Sequence, residues 1–335
     1  MKLYIRLASL AVIFSVLLSG CVRKSGDGEA DRTAENTHSV TDSAFSDESV
    51  SSDDKATGTE SSGTADQTSD SPVQTQDSTS PDTSAVTEAP TGGVEFIGTK
   101  YTKAQLEALD NTKSGYGPGV NVDADNRPSG ATVLQDRYGK YDAVFIAPNS
   151  DKVYLTFDLG YENGYTGKII DTLNEKGVKG LFFVTMDYCR SSPDIVKRII
   201  DEGHVLGNHS IHHYSMPTLS VDTMEAEIMD LHNYIRENYG YEMKLFRPPM
   251  GEFSERSLAV AQSLGYQSVF WSFAYLDYDV NNQPATDYAF EKITGAAHGG
   301  AVYLLHAVSS TNTAVLGDVI DSLRAKGFVI AKYDS

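Results

Sequence analysis

Three of the chain's eight histidines, His209, His212 and His213, fall within five residues of the stretch GNHSIHHYSMP. His209 and His213 are four apart, a spacing that sets two imidazoles on one side of a helical turn, where both can reach one cation. His212 points elsewhere. One use of such a pair is to hold a metal that activates water; ordinary exposed or core-satisfied histidines are the alternative. Asp158, in YLTFDLGYENG, follows an apolar run directly, so its carboxylate is expected at the strand mouth, although Asp before Gly is also a common turn. Arg247 precedes the stiff Pro248 and Pro249 pair of FRPPMGEFS, a setting that holds a guanidinium toward a carboxylate. His306 ends AVYLLHAVS, either as a proton donor or as a hydrogen-bonded core histidine. Asp277 trails the run QSVFWS.

These residues need elements to position them. VYLTF, GLFFV, HVLGN, KLF, QSVFWS, AVYLLH and GFVIA read as seven short strands. Between them, helices are expected over 164–176, 192–202, 220–239, 254–264, 286–297 and 314–326, several opened by Ser or Thr and closed by Gly. Strands alternating with helices imply a parallel sheet covered by helices, either doubly wound or closed. Asp158, His209, Arg247, Asp277 and His306 each follow a different strand. An open sheet would scatter those ends along a line, whereas a barrel gathers them round one mouth, so the expected fold is an α/β, distorted (β/α) barrel of about seven parallel strands.

The first third has another character. Lys2 and Arg6 precede a short apolar run ending in LSGC, which resembles the bacterial lipobox; residues 1–20 are expected to be a lipoprotein signal peptide and Cys21 the lipidated residue. The expected address is the extracytoplasmic face of the cell membrane. Only Cys189 would then remain, so no internal disulfide is available and the fold must rest on a packed core. Residues 21–93 are rich in Ser, Thr, Asp, Glu and Gly, with one aromatic, and form an expected disordered linker. Within residues 22–93 are 15 acidic and 4 basic residues, so this stretch supplies −11 of the chain's net −19 and most of the acidity belongs to a tether. Such a charge disfavours nucleic acid. Residues 94–150 hold a Gly, Pro, Asn and Asp rich stretch and are expected to wrap the folded domain, 151–335, with little regular structure. A monomer is expected.

Taken in order, TFDLG, HSIHH, RPPMG, the degenerate WSFAYLDYD and LLH resemble the signatures of the polysaccharide deacetylases of NodB homology, carbohydrate esterase family 4, over about 152–332. The intervening residues are most similar to the delta-lactam-biosynthetic de-N-acetylases, which act on muramic acid in peptidoglycan. The resemblance implies that Asp158 is the general base, that His209 and His213 bind a divalent metal (zinc, with cobalt or manganese as alternatives), and that Arg247 steadies Asp158. It implies that His306 protonates the leaving amine with support from Asp277. The Met250 amide would serve the oxyanion, and Leu304, Trp271 and Tyr278 would wall the acetyl pocket. The chemistry is coherent: a Lewis-acid ion acidifies water and polarises the carbonyl, a carboxylate takes the proton, and an acid rescues the poor amine leaving group.

Two positions depart from the pattern. Leu159 stands where the wider family has a metal-ligating Asp, so the third ligand is open, with Glu162 one candidate. Met250 stands where the subgroup often carries a basic residue. The leading expectation is a peptidoglycan N-acetylmuramic acid deacetylase acting on glycan strands. The alternatives are an N-acetylglucosamine deacetylase acting on peptidoglycan or another exported polysaccharide, and a catalytically lapsed glycan-binding lipoprotein.

Overall fold

The computed structural model describes residues 100–334. The signal segment, Cys21, the whole acidic linker and residues 94–99 lie outside the described residues. In chain order the strands are β1 (Ser114–Gly115), β2 (Ala143–Val144), β3 (Lys152–Leu159), β4 (Leu181–Val184), β5 (Val205–Asn208), β6 (Leu245–Phe246), β7 (Glu252–Phe253), β8 (Gln267–Val269), β9 (Val302–His306) and β10 (Val329–Ile330). The helices are α1 (Lys103–Glu107), α2 (Ser129–Tyr138), α3 (Thr166–Glu175), α4 (Met186–Ser191), α5 (Pro193–Asp201), α6 (Val221–Tyr239), α7 (Glu255–Ser263), α8 (Thr286–Gly295) and α9 (Ser310–Ala325).

All seven expected runs form strands of one sheet, in the order β10-β3-β4-β5-β6-β8-β2, with β9 also paired to β3. Every pairing in that sheet is parallel. The sheet curls into a half-barrel. Past β8, Ser272 N–H donates to the Val302 carbonyl at 2.8 Å and Phe273 bridges Tyr303, which draws that strand end back toward β9. The strand ends therefore gather at one mouth, as a barrel requires.

Alternation along β3 divides the core. Val153, Leu155, Phe157 and Leu159 pack with Ile169 and Ile170 of α3, while Leu181, Phe183, Val205, Val269 and Val302 form a smaller cluster with Tyr154 packed against it. Gly207 of β5 makes room there: a Cβ on it would lie 2.5 Å from the Phe183 ring. Cys189 is a free, buried thiol.

The leading segment is more regular than expected. It supplies α1 and α2, the edge strand β2 beside β8, and β1, which pairs antiparallel with β7. Phe145 and Ile146 enter the main core. Two other differences concern helices. Helix α4, capped by Thr185 accepting from Tyr188 N–H at 3.3 Å, was not legible, and α9 begins at Ser310 rather than Ala314 because Ser309 caps it and Asn312 bonds into the site.

Candidate active site

Asp158 and His306 stand directly opposite each other in the parallel register of β3 and β9. Thr156 and Leu304, two residues earlier on each strand, share their face of the sheet. A carboxylate and an imidazole on adjacent strands need no further device to meet at one mouth.

Arg247 is fully buried and spends its whole guanidinium on this corner. Nη1 donates to Asp158 Oδ1 at 2.7 Å, Nη2 to Thr156 Oγ1 at 2.8 Å and to the Phe270 carbonyl at 3.1 Å, and Nε to the Val269 carbonyl at 3.0 Å. Its carbon Cζ lies 4.2 Å from the centre of the Phe183 ring and 5.7 Å from that of Trp271. Burial alone would raise the Asp158 carboxyl; the Arg247 charge and hydrogen bond, helped by His209 and His306, reverse this and hold it below the usual range. Asp158 is thus a carboxylate with Oδ1 fixed. Oδ2 remains, 3.5 Å from His209 Nε2, beyond a good hydrogen bond.

The His209 Nδ1 hydrogen bonds the Arg247 carbonyl at 2.8 Å, so that carbonyl takes the ring proton and Nε2 presents its lone pair. Burial pushes His209 down to about 4, and loss of surrounding water lowers His213 also, so both imidazoles are neutral near pH 7. Their rings meet edge to face with centroids 4.7 Å apart. His212 does point elsewhere, its Nδ1 2.6 Å from Glu227 Oε1.

The loop carrying these rings is bent by two non-glycine residues in left-handed conformation, Ser210 (φ 69) and His213 (φ 58). Such bends persist only where the surroundings impose them. Here Asn208 Oδ1 accepts from Ser210 N–H at 2.9 Å, Ser210 Oγ accepts from His213 N–H at 2.9 Å, and Glu227 Oε2 accepts from the Ile211 and His212 amides at 3.1 and 2.9 Å. Glu227, a buried carboxylate of α6, was missed from sequence, as was Asn208.

Across the mouth, Asp277 is fully buried. Its Oδ1 meets His306 Nδ1 at 2.6 Å and its Oδ2 accepts from His306 N–H at 2.8 Å and from Asn312 Nδ2 at 2.6 Å. Burial would lower His306, but the Asp277 charge and hydrogen bond, with Asp158 behind, outweigh it and raise the imidazole above its ordinary value. That shift favours the imidazolium, in which the remaining ring nitrogen carries a proton. Tyr278, 44% exposed, meets the His306 ring edge on, at 5.6 Å between centroids.

Met250, 47% exposed, sits with φ 58 in the turn Pro249–Gly251 that follows Arg247 and Pro248. Leu304 and Trp271 are nearly buried at the mouth, 6% and 8% exposed. Neither Leu159, which stands at the family's ligand position, nor the candidate Glu162 supplies anything to a cation. Leu159 is 1% exposed within the main core. Glu162 is committed to the start of α3: its Oε1 accepts from the Gly164, Tyr165 and Thr166 amides at 2.6, 3.0 and 3.4 Å, and its Oε2 from Tyr188 OH at 2.7 Å. Among the described residues no three His, Cys, Asp or Glu side chains are grouped to hold a metal ion. The donor chemistry fits a cation held by His209 and His213, both neutral, with Asp158 Oδ2 beside them; it does not fit a site with three dedicated protein ligands.

A carboxylate and an imidazole facing each other at the mouth of a curled parallel sheet are suited to paired proton transfer. The polysaccharide deacetylase pattern matches residues 146–269. The chain belongs to that family, the family 4 carbohydrate esterases, and is a deacetylase of it. The peptidoglycan-N-acetylmuramic acid deacetylase PdaA of Bacillus subtilis is 40% identical over 233 residues, covering 69% of this chain and 88% of that protein. A peptidoglycan-N-acetylglucosamine deacetylase of Bacillus cereus is 32% identical and covers 56% of this chain and 69% of that protein. The solved structure of B. subtilis PdaA, described as a family 4 carbohydrate esterase, aligns with a TM-score of 0.64 at 38% identity, over 67% of this chain and 96% of that one.

Proposed function

We propose that the chain hydrolyses the N-acetyl group of muramic acid residues in peptidoglycan, releasing acetate and leaving a free amine. The observation that carries the chemistry is the register of β3 and β9, which opposes Asp158 to His306, each with its own buried counter-charge. The 40% identity with the muramic acid deacetylase supports the choice of sugar.

In this reading Asp158 Oδ2 receives the proton of the attacking water, because Oδ1 is occupied by Arg247. A carboxylate held so acidic is a weak base, which is where a divalent cation enters. When bound to His209 and His213, such an ion, zinc in this reading, would acidify the water and polarise the acetyl carbonyl. The Met250 amide faces the developing oxyanion, and Leu304, Trp271 and Tyr278 enclose the acetyl methyl. His306 hands its proton to the departing nitrogen, and Asp277 stabilises the imidazolium until that moment. The chain acts as a monomer tethered by lipid on Cys21 to the outer face of the cell membrane, with the acidic linker giving reach into the wall; metabolic labelling with a fatty acid, lost in Cys21→Ala, tests the tether.

The deciding experiment is mass spectrometry of muramidase-digested peptidoglycan after treatment with the full chain. Loss of 42 mass units from muramic acid is expected by the stoichiometry of deacetylation. The same loss on glucosamine would support the second sugar, which the 32% relative favours. Binding to glycan strands without acetate release would support the lapsed enzyme.

A further inference from the structure

We propose that the strap Ser114–Tyr116, contributed by the leading segment, is a positioning element of the reaction centre and acts through Trp271 on the turn that carries the Met250 amide. The proposal rests on reading that amide as the oxyanion donor.

The strap reaches the turn from two sides. As β1 it pairs with β7, Ser114 against Phe253 and Gly115 against Glu252, immediately after the turn ends. Lys113 adds an ion pair to Glu252 at 2.7 Å. Tyr116 then crosses to the strand end that also serves Arg247. Its hydroxyl donates to the Trp271 carbonyl at 2.5 Å, and its ring makes edge contacts with Phe145, Phe270 and Trp271 at 4.9, 5.4 and 5.3 Å between centroids. Burial pushes the Tyr116 phenol far up, so it stays a donor at any working pH.

The indole completes the link. A Cβ added at Gly251, whose φ is +66, would lie 2.8 Å from Trp271 Cη2 and 3.3 Å from the Tyr116 carbonyl oxygen. The turn is therefore wedged between the strap's backbone and the indole. Met250 next to it holds a left-handed conformation that a side chain disfavours and that must be imposed from outside. Tyr116 fixes the Trp271 backbone, the indole and the strap fix Gly251, and Gly251 fixes the direction of the Met250 N–H. Transition-state stabilisation by an amide depends on that direction being set before reaction.

Trp271 is the chain's only tryptophan, so intrinsic fluorescence reads this one side chain. In the full chain, Tyr116→Phe removes one hydrogen bond and keeps the ring. The expected result is greater quenching of Trp271 by acrylamide together with a fall in kcat of about tenfold and little change in KM, as loss of a transition-state interaction requires. Gly251→Ala, which loads the same contact from the turn's side, should produce the same pair of effects. Wild-type quenching and kcat in Tyr116→Phe would overturn the proposal. So would a fall in kcat with no fluorescence change, or a raised KM with kcat intact. If the wild-type chain released no acetate from any acetylated glycan, the functional reading would fail, and quenching alone would then decide whether Tyr116 immobilises Trp271.

Discussion

Replacing Arg247 by Lys keeps a cation beside Asp158 and removes the planar fork, so it separates charge from geometry. Arg247 fills four acceptors in a fully buried setting: Asp158 Oδ1, Thr156 Oγ1 and the carbonyls of Val269 and Phe270. A lysine ammonium can follow Asp158 but cannot also span the two carbonyls at the end of β8. Leaving a buried acceptor unpaired costs about 1–3 kcal/mol, so Arg247→Lys should lose about 3 kcal/mol after partial relaxation. Arg247→Met leaves Asp158 buried without its counter-ion and should cost about 3–5 kcal/mol. For a domain of this size the Tm should fall by roughly 6–12 °C in the Lys variant. Urea unfolding of the full chain followed by circular dichroism measures both variants. The pH profile of acetate release supplies the second reading. With Arg247 gone, burial of the Asp158 carboxyl acts against fewer opposing charges, so its proton affinity rises. Catalysis needs the ionised form, hence the acid limb must move to higher pH in Arg247→Met and less so in Arg247→Lys. If both variants kept stability within about 0.5 kcal/mol of wild type, the ordinary range for inconsequential surface changes, the guanidinium would not be the keystone described.

Other perturbations follow from the same geometry. Asp277→Asn removes the charge that raises His306, so the protonated imidazole should be lost at lower pH and the alkaline limb of kcat should move down; an unchanged limb would remove His306 from the acid's role. Glu227→Gln keeps shape but weakens the anchor of the Ile211 and His212 amides. Isothermal titration with Zn²⁺ should then show about tenfold weaker binding, the usual size of an outer-shell loss, whereas wild-type affinity would show that the loop holds its own shape.

Much of the fold was legible because each strand of the barrel is a short apolar run bounded by Gly or polar residues, a pattern that does not depend on distant sequence. Asp158, His209, Arg247 and His306 were legible because reactive types at successive strand ends converge in such a barrel. What escaped reading was nonlocal. Strand β2 is two residues long and exists because β8 offers an edge, so no periodicity announces it. Glu227 lies in a charged stretch of α6, where an acidic residue reads as solvated, yet the fold turns it under the histidine loop and buries it. Asn312 belongs to a polar stretch that propensity leaves outside a helix, and its bond to Asp277 helps start α9 early. Glu162 read as a loop residue open to a cation; backbone amides at the start of α3 claim its carboxylate.

The most direct test of the central claim is acetate released from peptidoglycan by the full chain and by Asp158→Asn, each assayed with Zn²⁺, Co²⁺ or Mn²⁺ supplied. Asn keeps the shape and an acceptor for Arg247 but cannot take a proton, so the rate should fall at least about 10²-fold, the usual contribution of a positioned base. Equal release by wild type and Asp158→Asn would contradict the account, since the carboxylate held by Arg247 would then have no part in the chemistry.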